Sequence, residues 1–291
     1  MRSYEDNKLK PIGYALSDTV GEHRRLKKTL EELKPEMIEL QLDDFVWDFD
    51  EAYEELQKVG FISVHSAAKG IDISSEDVRT MDYGLRRTLR SMDVAHNVGA
   101  DILVMHPVND MYLDPVQRLR AKDRFQDMFS GTITNYHKDN GHEYTICLEN
   151  IEYPKYPATF EEAEGLLEDV AKNGKVKLAI DIPHIWNSRR ILREDPKRYR
   201  PLTNGFPDDE RLDDHIRRFI ERRRENIGIY HIAGFGENPV RTHDPIYSDR
   251  VNQEYKELID ELRKKPLLME IHDQSLESLK YSKRVLEELS R

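Results

Sequence analysis

The sequence is poor in cysteine, tryptophan and long apolar runs. A single cysteine, Cys147, excludes an intrachain disulfide and any cysteine-cluster metal site. No run approaches the roughly 20 apolar residues that a membrane span needs. No Gly/Ser linker, low-complexity tract or composition break divides the chain. The first residues, MRSYEDNKLKPIGYAL, mix acids with bases and lack the apolar stretch of a signal peptide. These absences favour a cytoplasmic protein without membrane association, and the 291 residues read as one domain spanning 1–291. Acidic residues outnumber basic ones, 56 to 45, for a net charge of −11, which disfavours broad nucleic-acid binding. With 38% hydrophobic and 35% charged residues, the composition is that of a wet surface around an ordinary core, which disfavours global disorder.

What is present is a repeating alternation. Short β-rich runs occur at 11–16, 37–43, 61–67, 101–107, 144–150, 176–182, 227–233 and 267–273. Several are almost continuously apolar, as parallel strands buried on both faces require. Charged stretches with helical spacing separate them, at 20–34, 160–174, 252–266 and 275–290. Residues 68–100 predict a loop and then a helix through Leu85, Leu89 and Val94. Residues 183–226 predict an extended loop followed by a basic helix. Repeated strand–helix alternation points to a single α/β domain, a (β/α)8 TIM barrel, with a doubly wound open sheet as the second choice.

The strand ends carry the chemistry. His65, His106, Glu149, Asp181, His231 and Glu270 lie at or near the C-terminal ends of strands three to eight, with His184 and His243 shortly beyond. In a barrel all of these converge on one mouth. Converging carboxylates repel one another unless a cation neutralises them. Glu149, Asp181, His231 and Glu270 form one candidate cluster. His65 and His106 could hold a second ion bridged by Glu149, and His184 with His243 a third ion or the substrate. Nitrogen and oxygen donors without sulfur suit Zn²⁺ or Mn²⁺, with Fe²⁺ and Co²⁺ as alternatives to the same one to three ions. Trp186, Arg189, Arg190 and Arg241 are candidate substrate contacts, and the arginines Arg189, Arg190, Arg193, Arg198 and Arg200 with Lys197 could clamp a phosphate or form a solvated loop. Asp43 and Asp44 are further candidates for sugar hydroxyls, and Cys147 reads as inert packing.

The strings SVHSAA, VMHPV, CLENI, AIDIPH, YHIAGF, THDPI and MEIHD, in this order, resemble the xylose-isomerase-like barrel superfamily. It includes sugar isomerases and epimerases as well as endonuclease IV, which cuts DNA at abasic sites. The resemblance implies that Glu149, Asp181, His231 and Glu270 correspond to the metal ligands of the isomerases and epimerases. It implies that His65, His106, His184 and His243 correspond to the additional ligands of the three-metal endonucleases. Arg241 stands where the nucleases carry Asp, Val108-Asn109 replaces their Gly-Ser, and no aromatic follows His65. The resulting expectation is an isomerase or epimerase of a small sugar or sugar phosphate, with Glu149 and Glu270 moving protons on either side of an enediolate and His184 steadying the oxyanion. An abasic-site phosphodiesterase is the alternative, and a non-catalytic sugar- or protein-binding barrel the third reading. The sequence leaves open whether the chain forms oligomers.

Overall fold

The computed structural model describes residues 9–17, 23–42, 53–112, 114–171, 175–194, 212–234, 243–246, 255–272 and 275–290. Eight parallel strands form a closed barrel in sequence order: β1 (Ile12–Ser17), β2 (Met37–Gln41), β3 (Phe61–His65), β4 (Ile102–Met105), β5 (Thr145–Glu149), β6 (Val176–Asp181), β7 (Ile227–Ile232) and β8 (Leu267–Met269). β8 closes on β1 through Ile12–Leu267 and Tyr14–Met269. The surrounding helices are α1 (His23–Leu33), α2 (Tyr53–Leu56), α3 (Val78–Asn97), α4 (Pro115–Met128), α5 (Thr134–Asp139), α6 (Phe160–Val170), α7 (Ile182–Glu194), α8 (Leu212–Arg223), α9 (Ile259–Leu262) and α10 (Leu276–Leu289). The expected (β/α)8 barrel is the observed fold. No helix among the described residues is long and apolar enough to cross a membrane.

The period of two along each strand divides its side chains between two cores. Ile38 and Leu40 of β2, Ile62 and Val64 of β3, and Leu178 and Ile180 of β6 join the large cluster beneath the helices. Met37, Phe61, Ile102, Val104, Cys147, Ala179, Ile229 and Leu268 form a separate cluster inside the barrel. Cys147 is therefore barrel filling, and its burial pushes the thiol up to about 12. Packing here is close enough that a Cβ on Gly13 would lie 2.7 Å from the Met37 carbonyl oxygen. Towards the C-terminal ends the inward positions change from apolar to polar: Met37-Glu39-Gln41, Phe61-Ser63-His65, Cys147-Glu149, Ala179-Asp181 and Leu268-Glu270. The barrel is thus plugged with hydrocarbon at one end and lined with ligand-type side chains at the other.

β7 departs from regular pairing. Leu178 faces Ile227 but Ala179 faces Ile229, so Gly228 is an extra residue in β7. A Cβ on Gly228 would sit 2.4 Å from the Cys147 sulfur, which explains the glycine at this bulge.

Three expectations about local structure are corrected. The loop expected from residue 183 is helical as far as Glu194, and its continuation to 211 lies outside the described residues. The reason is that Asp181 both ends β6 and caps α7: its Oδ1 accepts from the His184 amide at 2.5 Å, so the helix starts at once. The helix expected over 252–266 is reduced, among the described residues, to a short stretch with α9 at Ile259–Leu262. Strand eight, expected to run to residue 273, ends at Met269. The basic helix, α8, is an outer face: Arg223 pairs with Glu164 at 2.9 Å and Glu168 at 2.8 Å on α6.

One brace holds the loop after β5. Arg118 of α4, with its side chain only 3% exposed, directs Nη2 at both carboxylate oxygens of Glu162, each contact being 2.7 Å. The same guanidinium donates to the carbonyls of Pro154 and Lys155. Its carbon lies 5.2 Å and 5.6 Å from the ring centroids of Tyr153 and Tyr156. Planar donors in a fixed fork suit such a many-sided socket.

Candidate metal centre

All eight residues expected to act as metal ligands come together at the polar mouth. They fall into three groups: His65, His106 and Glu149; Glu149, Asp181, His231 and Glu270; and Asp181, His184 and His243, with the donor atoms of each group within 4.8 Å of one another. Glu149 belongs to the first two groups and Asp181 to the last two, so the three form a chain.

Glu149 is the hub. Its Oε2 lies 2.9 Å from His65 Nε2 and 2.8 Å from His106 Nε2, and its Oε1 lies 2.8 Å from His231 Nδ1. The His231 nitrogen is also 3.0 Å from Glu270 Oε2. His184 Nδ1 is 2.9 Å from Glu152 Oε2 and 3.6 Å from Asp181 Oδ1. Most other ring nitrogens are tied elsewhere: His65 Nδ1 to the Ser66 carbonyl at 2.9 Å, His106 Nδ1 to Asn109 at 2.8 Å, and His243 Nδ1 to the Glu270 carbonyl at 3.0 Å. One fixed nitrogen per ring leaves the other to face the centre, the usual arrangement around ligating histidines.

The backbone supports these aims. Asn150 exchanges 2.9 Å hydrogen bonds with both backbone groups of Asp181. His243 sits at φ 69°, a left-handed conformation uncommon for residues other than glycine, and its loop docks on the end of β7 through the Gly234–Asp244 pair. Gly234 permits this approach, since a Cβ there would lie 2.3 Å from the Pro245 oxygen.

The residues fit a divalent cation. Asp181 Oδ2, His184 Nδ1 and Glu270 Oε2 are buried without a hydrogen-bond partner, although other polar atoms crowd within about 3 Å of two of them. Buried polar atoms are seldom left so. Crowding without hydrogen-bond geometry is what donor atoms aimed at a shared centre produce, and their nitrogen and oxygen chemistry suits a borderline metal.

Electrostatics in the metal-free protein follow from this crowding. Burial opposes a charge on His65, yet the hydrogen bond and charge of Glu149 push it up to about 10. Burial likewise opposes a charge on His184, but Asp181 and Glu152 push it up to about 10. Burial, reinforced by the charges of Glu149 and Glu270, pushes Asp181 up to about 8. Glu149 overcomes its burial through three imidazoles and is held well below the usual carboxylate range. Burial lowers His243 to about 4. Cation binding at pH 7.5 is therefore expected to displace protons from His65, His184 and Asp181. Calorimetric titration with Zn²⁺ or Mn²⁺ in buffers of different ionisation enthalpy reads this release, and a buffer-independent enthalpy would contradict it. The sign for stability agrees. Groups with raised folded-state values stabilise the metal-free fold at low pH and lose that contribution as the pH rises through about 8 to 10. The gain in Tm on adding metal is thus expected to be larger at pH 8.5 than at pH 6.5.

The expected substrate contacts are distributed differently. Arg190 donates to Glu194 and Asn187, both at 3.0 Å, and lies 5.9 Å over Trp186, so these contacts engage it along α7. Arg189 is buried in α7, and Trp186 is half-buried against the core. Arg241, Asp43, Asp44, Lys197, Arg198 and Arg200 lie outside the described residues. Sequence reasoning missed Glu39, Gln41 and Glu152. Gln41 Nε2 donates to Glu270 Oε1 at 2.6 Å. Only the inward register of β2, in Met37-Glu39-Gln41, could have signalled the first two.

Comparison with known proteins agrees with the fold. Endonuclease IV from Thermus thermophilus superposes with a TM-score of 0.64 at 14% identity, covering 96% of this chain and 98% of that one. D-allulose 3-epimerase from Methylomonas sp. gives 0.63 at 15% identity, covering 97% of each chain. A further Thermus thermophilus protein, TTHB071, soaked with ZnCl2, gives 0.62 at 18% identity, covering 95% of this chain and 98% of that one. At such identities the likeness is one of fold. A search of curated proteins returns no match to the sequence. The xylose isomerase-like TIM barrel model matches residues 24–289, and the chain belongs to that family.

Proposed function

We propose that the protein is a divalent-cation-dependent enzyme, using Zn²⁺ or Mn²⁺, that isomerises or epimerises a small sugar or sugar phosphate in the cytoplasm. The observation that carries this reading is the four-residue group Glu149, Asp181, His231 and Glu270, in which Glu270 alone keeps part of its side chain, 19%, open to the mouth. Glu149, Asp181, His231 and Glu270 would hold the cation, whose Lewis acidity would polarise a substrate carbonyl and acidify the adjacent C–H bond. Gln41 fixes Glu270 Oε1, leaving the unpartnered Oε2 to take and return the proton. The expected second proton carrier, Glu149, is assigned here to holding the cation instead. Both of its oxygens are engaged by imidazoles, and it meets Glu270 at the same His231 nitrogen. His184, steered by Glu152, lies at the other end of the ligand chain and would steady a developing oxyanion. An epimerase among the fold neighbours supports this class, and a net charge of −11 disfavours a nucleic-acid substrate.

A second reading, phosphodiester hydrolysis at abasic DNA, is favoured by one observation. Glu149 and Asp181 link three ligand groups, which suits the multi-ion sites of many nucleases and phosphatases. Incubation of metal-loaded protein with ketoses, aldoses and their phosphates in D₂O separates the two. Deuterium incorporation with interconversion is the expected result. Three ions per chain together with cleavage of an abasic duplex, and no sugar turnover, would establish the second reading instead.

A further inference from the structure

Beneath the ligands lies a carboxylate that the proposed chemistry does not use. Glu39 of β2 is wholly buried, at 0% exposure, one inward position before Gln41. Its Oε2 accepts from the Ser63 hydroxyl at 2.8 Å and lies 3.1 Å from His231 Nε2. Its Oε1 has no hydrogen-bond partner. Around it the barrel is filled with hydrocarbon from Met37, Phe61, Val104 and Ile229.

For stability alone this is a poor choice of residue. A buried carboxylate with two hydrogen-bond partners and one empty oxygen costs free energy that a leucine of similar bulk would avoid. Its position gives it another use. The rings of His65, His106 and His243 are each fixed by a neutral oxygen acceptor, two of them backbone carbonyls. His231 differs from these three: the ring nitrogen turned away from Glu149 meets a second carboxylate from the barrel interior, 192 positions away in the sequence. With Nε2 protonated towards Glu39, Nδ1 would be free to give its lone pair to a cation shared with Glu149 Oε1 and Glu270 Oε2, which lie 2.8 Å and 3.0 Å from it.

We infer that Glu39 is a positioning residue that fixes the His231 tautomer and thereby raises the cation affinity of the Glu149–Asp181–His231–Glu270 group. The inference rests on the cation-binding part of the proposed function and on no particular substrate. A carboxylate behind a ligating imidazole orients the ring and makes its free nitrogen a stronger donor, and removing such a partner typically weakens metal binding about 10–100-fold. Glu39 also places a further negative charge directly behind the site.

The test uses the full chain, stripped with chelator and titrated calorimetrically with Mn²⁺ and with Zn²⁺, for wild type, Glu39→Leu, Glu39→Gln and Ser63→Ala. Long-range ¹⁵N–¹H spectra of the histidine rings in the zinc-loaded protein report which His231 nitrogen carries the proton. Glu39→Leu is expected to lose about 10–100-fold in affinity and the Nε2-protonated signature. Glu39→Gln, whose amide oxygen still accepts from Nε2, keeps the signature and falls between the two. Ser63→Ala, which frees Glu39 to move, shows a smaller loss. A merely structural glutamate would lower the Tm of the metal-free variants and leave affinity and tautomer unchanged. Should Glu39→Leu fail to fold, unchanged affinity in both Glu39→Gln and Ser63→Ala overturns the inference. Wild-type protein that takes up no cation overturns the proposed function together with this inference, whereas wild-type uptake matched by a folded Glu39→Leu overturns this inference alone.

Discussion

Replacing Glu149 with glutamine is expected to abolish tight cation binding in two of the three ligand groups at once. Glu149 is the member shared by the His65–His106 group and the Asp181–His231–Glu270 group, so one substitution removes a donor from each. An amide keeps the shape but offers one oxygen where three imidazoles now meet two. It also presents an N–H group where the carboxylate oxygens accept. The loss is expected to exceed the roughly 10–100-fold typical of removing a group that only backs a ligand, since a direct donor is removed. Equilibrium dialysis with metal analysis measures it, and turnover should fall in parallel. Glu149→Gln that retained wild-type stoichiometry and affinity would remove the hub from the site, and with it the proposed catalysis. The control is Asp181→Asn, which should spare the His65–His106–Glu149 group while emptying the other two.

The largest effect on stability is expected at Arg118, which belongs to none of the ligand groups. Arg118→Met removes the Nη2 contacts to Glu162, the contacts to the Pro154 and Lys155 carbonyls, and the stacking against Tyr153 and Tyr156. Glu162 is left with its side chain only 15% exposed and without its cation. Breaking one partner of a buried pair typically costs about 3–5 kcal/mol, which for a chain of this size is a fall in Tm on the order of 10 °C. Differential scanning fluorimetry of the metal-free protein reads the change. Adding Glu162→Gln to Arg118→Met should recover part of the loss, because no charge then remains buried alone. A shift under about 2 °C would show that the socket adds little to the fold. Because Arg118 holds the segment that carries Glu152, the same variant should also loosen the Glu152–His184 contact and raise KM for a substrate bound at that end.

Much of the barrel and its mouth is legible in the sequence, and the reasons are specific. A strand buried on both faces must be apolar along most of its length, so a histidine or carboxylate at its end is conspicuous. His65, Glu149, Asp181 and Glu270 stand out in this way, and the structure draws them together with His106, His184, His231 and His243. Glu39 does not stand out, because it sits in mid-strand and its partner is a residue distant in sequence. The start of α7 is hidden because Asp181 reads in the sequence only as a ligand. Its second role as the helix cap, through the His184 amide, turns an expected loop into a helix. Arg190 accordingly lies on that helix, where it contacts Glu194, Asn187 and Trp186.

The bulge at Gly228 decides where His231 points. Ile227 belongs to the outer core and Ile229 to the inner one, an assignment that strict alternation forbids. By parity, a histidine four places after an outward isoleucine would also face the helices, away from the mouth. One additional peptide unit reverses that phase and turns the imidazole inward. The metal centre therefore depends on a count as well as on side-chain chemistry: β7 can keep every ligand-type residue and still lose its histidine if the tally between Ile227 and His231 is carried by a regular ladder.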